Sequence, residues 1–165
     1  MIEARPRHWL SRHYQLYDGP HVWTELRFDD HGADAGFVLD GRHYRTIREI
    51  AGVSLWKYVV RSLRGRNIFR LEQDGVVVAH AQGEGAFSGR YRVWTEAGEE
   101  YRLHEQGKQV SLLRDGVGIG RIARRGALAR GLWAELPAEV PAPLRVFIIW
   151  LLLSRWETIG SGGGE

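Results

Sequence analysis

Arginine supplies nearly all of the positive charge in this chain; lysine occurs only at Lys57 and Lys108. The arginines gather in two places. Lys57, Arg61, Arg64, Arg66 and Arg70 fall in a stretch with no acidic residue between Leu55 and Leu71, and Arg121, Arg124, Arg125 and Arg130 form a second group. A guanidinium presents a planar fork of donors that matches phosphate oxygens, and a basic surface attracts anionic lipid. Arg61, Arg64, Arg66, Arg121, Arg124 and Arg125 are therefore the candidate residues for binding an anionic ligand, provided that the two groups meet on one face. The competing account is a solvated face on which each arginine is neutralised by a nearby Asp or Glu. The net charge of +3 is too small for a dedicated nucleic-acid binder.

Other chemistries find less support. Gly118, Gly120 and Ala123 in GVGIGRIA fit G-x-G-x-x-A, but a dinucleotide site needs a following helix and a second parallel strand. Gly126, Gly131 and Pro137 come next, so alternating glycines in a curved strand are the better reading. Seven histidines (His8, His13, His21, His31, His43, His80 and His104) are scattered without the H-E-x-x-H spacing. Cysteine is absent, which removes thiolate ligands, cysteine nucleophiles and disulfides. None of the serines lies in G-x-S-x-G. The expectation is a protein with no catalytic residue, no metal and no cofactor.

The elements that would position the arginines are short strands. Asp18-Gly19, Asp40-Gly41, Asp74-Gly75 and Asp115-Gly116 each separate apolar-rich runs, and Ala97-Gly98 separates YRVWTE from EEYRLHE. Asp-Gly favours the positive-φ turns that join twisted antiparallel strands. The flanking runs alternate. Val22, Thr24, Leu26 and Phe28 share one face of HVWTELRF; Tyr91 and Val93 oppose Arg92 and Trp94; Tyr101 and Leu103 oppose Arg102 and His104. A period of two is the pattern of a half-buried strand. Residues 50–64 fit a helix by spacing and a strand by their valines, and both remain open. Trp9, Trp23 and Trp94 alternate against apolar positions and read as surface rings; packing on neighbouring arginine stems is the default, and rings beside arginine would also suit a lipid interface or single-stranded nucleic acid.

Near the C-terminus the texture changes. LPAEVPAP is followed by PLRVFIIWLLLSRWE, in which Val146 to Leu153 are all apolar. A helix over residues 143–157 then has no polar face and must be buried all round. A membrane span needs about 20 apolar residues, more than lie between Arg145 and Arg155; a core helix is the expectation. Short antiparallel strands surround such a helix by closing into a barrel. The domain is expected to cover residues 1–159, with 160–165 a flexible glycine-rich tail. Met1 to Leu10 is polar and basic, unlike a signal peptide, and a cytoplasmic location follows as an expectation, with peripheral attachment to the inner membrane surface if lipid is bound.

The order FRLEQDGVVVAHAQG, FSGRYRVWTEAGEEYRLHE, VSLLRDGVGIGRIARRG, LWAELPAEVP and LRVFIIWLLLSRWE, with FVLDGRHYRTIRE as an early hairpin, resembles bacterial small proteins with a tubby C-terminal-like domain. This superfamily includes tubby-like proteins, phospholipid scramblases and LURP-one-related proteins. The resemblance covers most of residues 9–157. It implies a mainly β fold: a closed antiparallel barrel of about twelve strands around one central hydrophobic C-terminal helix. The cysteine-rich acylation run of scramblases is missing, so lipid recognition is implied by kinship of fold, and a fold does not by itself fix function.

Three functions are carried forward. The first is a non-enzymatic binding module for anionic phospholipid headgroups or a membrane surface. The second is a structural or protein-interaction barrel with no small ligand. The third is a hydrolase with a site at the barrel mouth. Anionic lipid, or another protein, is the expected partner; nucleic acid is not.

Overall fold

A computed structural model describes residues 1–8, 12–29, 34–49, 67–84, 89–126 and 131–161, with side chains through Trp156. Twelve strands close into one antiparallel barrel in which every strand pairs with its neighbours in sequence and the last pairs with the first. They are β1 (Ile2–Pro6), β2 (His13–Asp18), β3 (His21–Phe28), β4 (Ala35–Leu39), β5 (Arg42–Arg48) and β6 (Ile68–Gln73). The second half comprises β7 (Val76–Gly83), β8 (Arg90–Thr95), β9 (Glu100–Gln106), β10 (Gln109–Arg114), β11 (Val117–Arg124) and β12 (Leu132–Glu135). A single helix, α1 (Ala142–Ser161), follows. It begins one residue before the expected start and carries the backbone through Gly160 and Ser161, where the flexible tail was expected to begin. Extending a formed helix fixes only one more residue per hydrogen bond, so the first residues of the glycine run can continue it. Among the described residues no helix is long and apolar enough to cross a membrane.

The helix runs through the barrel. Val146, Phe147, Ile148, Ile149, Trp150 and Leu152 are fully buried, and Leu151 and Leu153 nearly so. The strands supply the enclosing surface through alternate residues, among them Tyr14, Leu16, Leu26, Leu71, Val93, Tyr101, Leu103, Leu112 and Ile122. Trp150 sits in the middle, edge-on to Phe69 at 5.7 Å and stacked on Phe147 at 5.7 Å.

The two ends of the barrel differ. At one end, the turn end, the chain reverses through the dipeptides anticipated from the sequence. Asp40-Gly41, Asp74-Gly75 and Asp115-Gly116 have positive φ at both residues, as a type I′ turn requires. Asp18-Gly19 departs from this because Pro20 follows. Proline has no N–H to close the turn as its fourth residue, so Gly19 and Pro20 become the central pair, and since proline cannot take positive φ only Gly19 is left-handed. The helix enters at this end after residues 136–141. At the other end, the loop end, lie the ends of β1, β3, β5, β7 and β11, the tight Gly107–Lys108 turn, and the exit of the helix. Residues 50–64, ambiguous between helix and strand in the sequence, lie outside the described residues.

Three hairpins carry a β-bulge near the turn end. Leu16 pairs with Thr24 but Tyr17 with Val22; Leu71 pairs with Ala79 but Glu72 with Val77; Leu112 pairs with Gly120 but Leu113 with Gly118. The extra residues are Trp23, Val78 and Ile119, each packed against the core. A bulge breaks the alternation of side chains, which corrects two expectations: Val22 is exposed rather than inward, and Trp23 packs on the core rather than forming a surface ring. Glycine in GVGIG also finds its reason here. A Cβ on Gly120 would lie 2.7 Å from the backbone oxygen of Glu135 and 3.3 Å from Leu136 and Pro137, so β11 lets the chain leading into α1 cross close to it. The motif serves packing.

Replacing Ile148 with Asp should prevent folding, because an unpaired charge inside the barrel costs several kcal/mol; loss of the cooperative thermal transition in circular dichroism checks this, and a native-like melt would contradict the buried helix. Gly120→Ala should destabilise by about 1–3 kcal/mol in urea unfolding, whereas Gly118→Ala, with open space around it, should cost under about 1 kcal/mol.

Candidate functional site

The strands place the sequence-derived arginines in different situations. Arg121 lies midway along β11 and points outward. Its Nε donates to the Glu135 carboxylate at 2.5 Å across the β11–β12 ladder, and its guanidinium lies over the Trp133 ring at 5.5 Å. The charge-assisted bond to Arg121 holds Glu135 below the ordinary carboxylate value. Arg125 is bound to Glu3 at 3.3 Å, a carboxylate that also receives Arg5 at 2.5 Å. Arg121 and Arg125 are thus neutralised locally, as the solvated-face account requires. Arg61, Arg64 and Arg66 lie outside the described residues. Other exposed arginines follow the same rule: Arg27 with Glu25, Arg45 with Asp34, Arg92 with Glu100.

Arg124 is different. It follows Ile122 on the inward face of β11, at the loop end, and its guanidinium lies 4.7 Å from the centre of the Trp156 ring on α1. No carboxylate among the described residues is within ion-pair distance of it. Burial pulls its pKa below the ordinary arginine value, and Glu105 nearby opposes that shift; the group stays charged at any physiological pH.

Two further arginines turn inward at the same mouth. Arg155 on α1 donates from Nε and a terminal nitrogen to Glu105 Oε2, both at 3.1 Å, and is only 17% exposed. Glu105 Oε1 also accepts the Trp156 indole N–H at 3.3 Å. Arg48 continues the inward series Tyr44, Thr46 at the end of β5. Its guanidinium lies 5.8 Å from the centre of the Phe69 ring, and its Nε is buried with no hydrogen-bond partner among the described residues. Tyr91 joins the group: burial raises its phenol pKa, while Arg155 and Arg48 pull it back down. The mouth therefore holds three guanidinium groups and Tyr91 against one carboxylate, Glu105, among the described residues.

Sequence reasoning found Arg124 and missed Arg48 and Arg155. Arg155 was legible only as the end of the apolar run. Arg48 carries a signal in its parity, since it continues the alternation of Tyr44 and Thr46, but an arginine at a strand end reads as outward until the barrel is closed. The anion-binding set anticipated from sequence is thus divided by strand parity, because successive side chains point to opposite faces. Arg124 reaches the mouth, while Arg121 stays on the outer wall and Arg125, one residue beyond the strand, turns to Glu3.

The arrangement offers guanidinium donors to an anion. Forked donors gathered at one mouth can hold an anion; Tyr91 can add a hydroxyl donor. Among the described residues no group of three His, Asp or Glu side chains could hold a metal ion. No family model matches the chain, and no curated protein and no solved structure matches it.

Glu105→Gln should destabilise the fold by about 2 kcal/mol, the scale of lost hydrogen bonds to a charged group, because Arg155 is left buried without its counter-charge. Urea unfolding of the variant measures it, and an unchanged midpoint would mean that the Glu105–Arg155 pair does not hold the mouth together.

Proposed function

We propose that this chain is a non-enzymatic binding module whose loop-end mouth takes the anionic headgroup of a phospholipid, with the protein peripheral to a membrane surface. The observation that carries the reading is the inward convergence of Arg48, Arg124 and Arg155 on one mouth with Glu105 as the one carboxylate among the described residues. Like charges held together repel, and an entering phosphate would relieve that repulsion while accepting forked hydrogen bonds. The Trp156 ring at the same mouth is of the kind that favours the water–lipid interface. The resemblance to the tubby and scramblase superfamily points the same way.

Of the arginines in the two sequence clusters, Arg124 belongs to this mouth with Arg48 and Arg155, whereas Arg121 and Arg125 are occupied by carboxylate partners. Those same two pairs favour the second reading, a protein-interaction barrel without a small ligand, and one assay separates the two.

Co-sedimentation with vesicles containing phosphatidylglycerol should capture the protein at low salt and release it at high salt, because exposed charge interactions are screened; neutral phosphatidylcholine vesicles should not capture it. Arg48→Gln combined with Arg124→Gln should weaken capture roughly thirty-fold, at about 1 kcal/mol per arginine near the surface, whereas Arg121→Gln should leave it unchanged. Inorganic phosphate that competes as well as vesicles would assign the mouth to a free anion rather than to lipid. Failure of the wild-type chain to bind either would leave the protein-interaction reading.

A further inference from the structure

The three bulged hairpins lie four strands apart around the barrel, on β3, β7 and β11. They divide the turn end into three comparable sectors around the start of α1. The first sector is filled: the Trp23 ring packs on the core and carries the Arg145 guanidinium at 5.0 Å from its centre. The third is filled as well, since Ile119 packs on the core and Leu136 and Pro137 lie against Gly120. In the second sector the bulged residue is Val78. Instead of a ring there is a cavity of about 350 Å³, with Tyr44, Leu71, Val78, Ala79, Pro143 and Leu144 among its walls. That volume is at the lower end of the usual range for small-molecule sites, ~300–1,000 Å³.

The rim has a charge character of its own. Glu96 and Glu99 border the cavity. Glu96 is 58% exposed and holds His80 Nε2 at 2.7 Å; Glu99 faces Arg114 at 3.7 Å, beyond hydrogen-bonding distance. Gln73 stands on the opposite side, its side-chain oxygen accepting the Tyr44 hydroxyl at 3.2 Å. Small residues (Ala79, Thr95 and Ala97) make the wall on the β7–β8 side, so no side chain there reaches across the gap.

We infer that this cavity is a binding site for a compact aromatic amine, its ring taking the place that the Trp23 indole fills in the neighbouring sector and its ammonium lying between Glu96 and Glu99. The Trp23–Arg145 pair is the internal precedent: an aromatic ring with a cation beside it completes that sector. The Val78 sector supplies apolar walls and two carboxylates, but its bulged residue carries no ring, and the carboxylates meet only His80 and, at 3.7 Å, Arg114. The site is at the opposite mouth from the proposed headgroup site and does not depend on it.

Isothermal titration of the full chain with tryptamine, and with indole-3-acetate as a ring-matched acid, tests the inference. Tryptamine should bind saturably and at least about ten-fold more tightly than the acid. Val78→Trp should abolish tryptamine binding without lowering the thermal midpoint, since it fills the gap from within; Val78→Phe gives the same test should the larger ring fail to fold. The double variant Glu96→Gln, Glu99→Gln should bring tryptamine and the acid close to equal affinity. No binding of tryptamine by the wild-type chain, equal binding of the acid, or tryptamine binding that survives the Val78 replacements would overturn the inference.

Discussion

A helix whose central residues, Val146 to Leu153, are apolar on every side has to be enclosed by something. The hydrophobic free energy of burying each of these side chains, about 1.5–3 kcal/mol, is gained only where water is excluded from the whole circumference. One sheet covers one face, and two packed sheets leave edges. A closed barrel covers all directions and also removes the unpaired strand edges that would otherwise invite aggregation. The β1–β12 pairing that closes the barrel and the burial of α1 are therefore one constraint met from two sides.

That constraint also organises the surface. Because the barrel interior is taken up by the helix, a ligand site has to lie on the outer wall or at a mouth. The outer wall is a mosaic of neighbouring Arg–Glu pairs such as Arg92–Glu100 and Arg121–Glu135, each worth little in stability and each cancelling local charge. The mouths are where inward-facing positions run out of helix to pack against. At the loop end those positions are Arg48, Glu105 and Arg124, gathered around Arg155 and Trp156. At the turn end they lie around the stiff start of α1, where Pro141 and Pro143 leave the Val78 sector unfilled. The two ends thus differ in chemistry for a reason rooted in the chain: tight turns join the strands at one, while at the other inward-facing strand ends meet the exit of the helix.

Much of the fold was legible without coordinates. The Asp-Gly dipeptides report turns because aspartate tolerates, and glycine prefers, a left-handed backbone; the period-two runs report strands; the apolar run with prolines before it reports the helix. These are local signals, and each survives into the structure because tertiary packing agrees with it. The reading failed where one residue was inserted into a ladder. Val22 and Trp23 exchange roles because of a bulge, and nothing in HVWTELRF marks that bulge.

For the candidate site the division is sharper. From the sequence by itself came the arginine clusters, the absence of any cysteine chemistry and the identity of Arg124 as a candidate. Tertiary structure alone decided which arginines are neutralised. Glu3 meets Arg125 across 122 residues of chain, Glu105 meets Arg155 from the wall of the barrel, and Arg48 and Arg155 reach one mouth from a strand and from the helix. Parity along a strand can be counted from the sequence, but the partner facing each side chain depends on barrel closure and register, and these are long-range properties of the fold. Charge is therefore written in the sequence, while compensation of charge, which pairs one arginine with a carboxylate and leaves another without one among the described residues, is set by three-dimensional proximity.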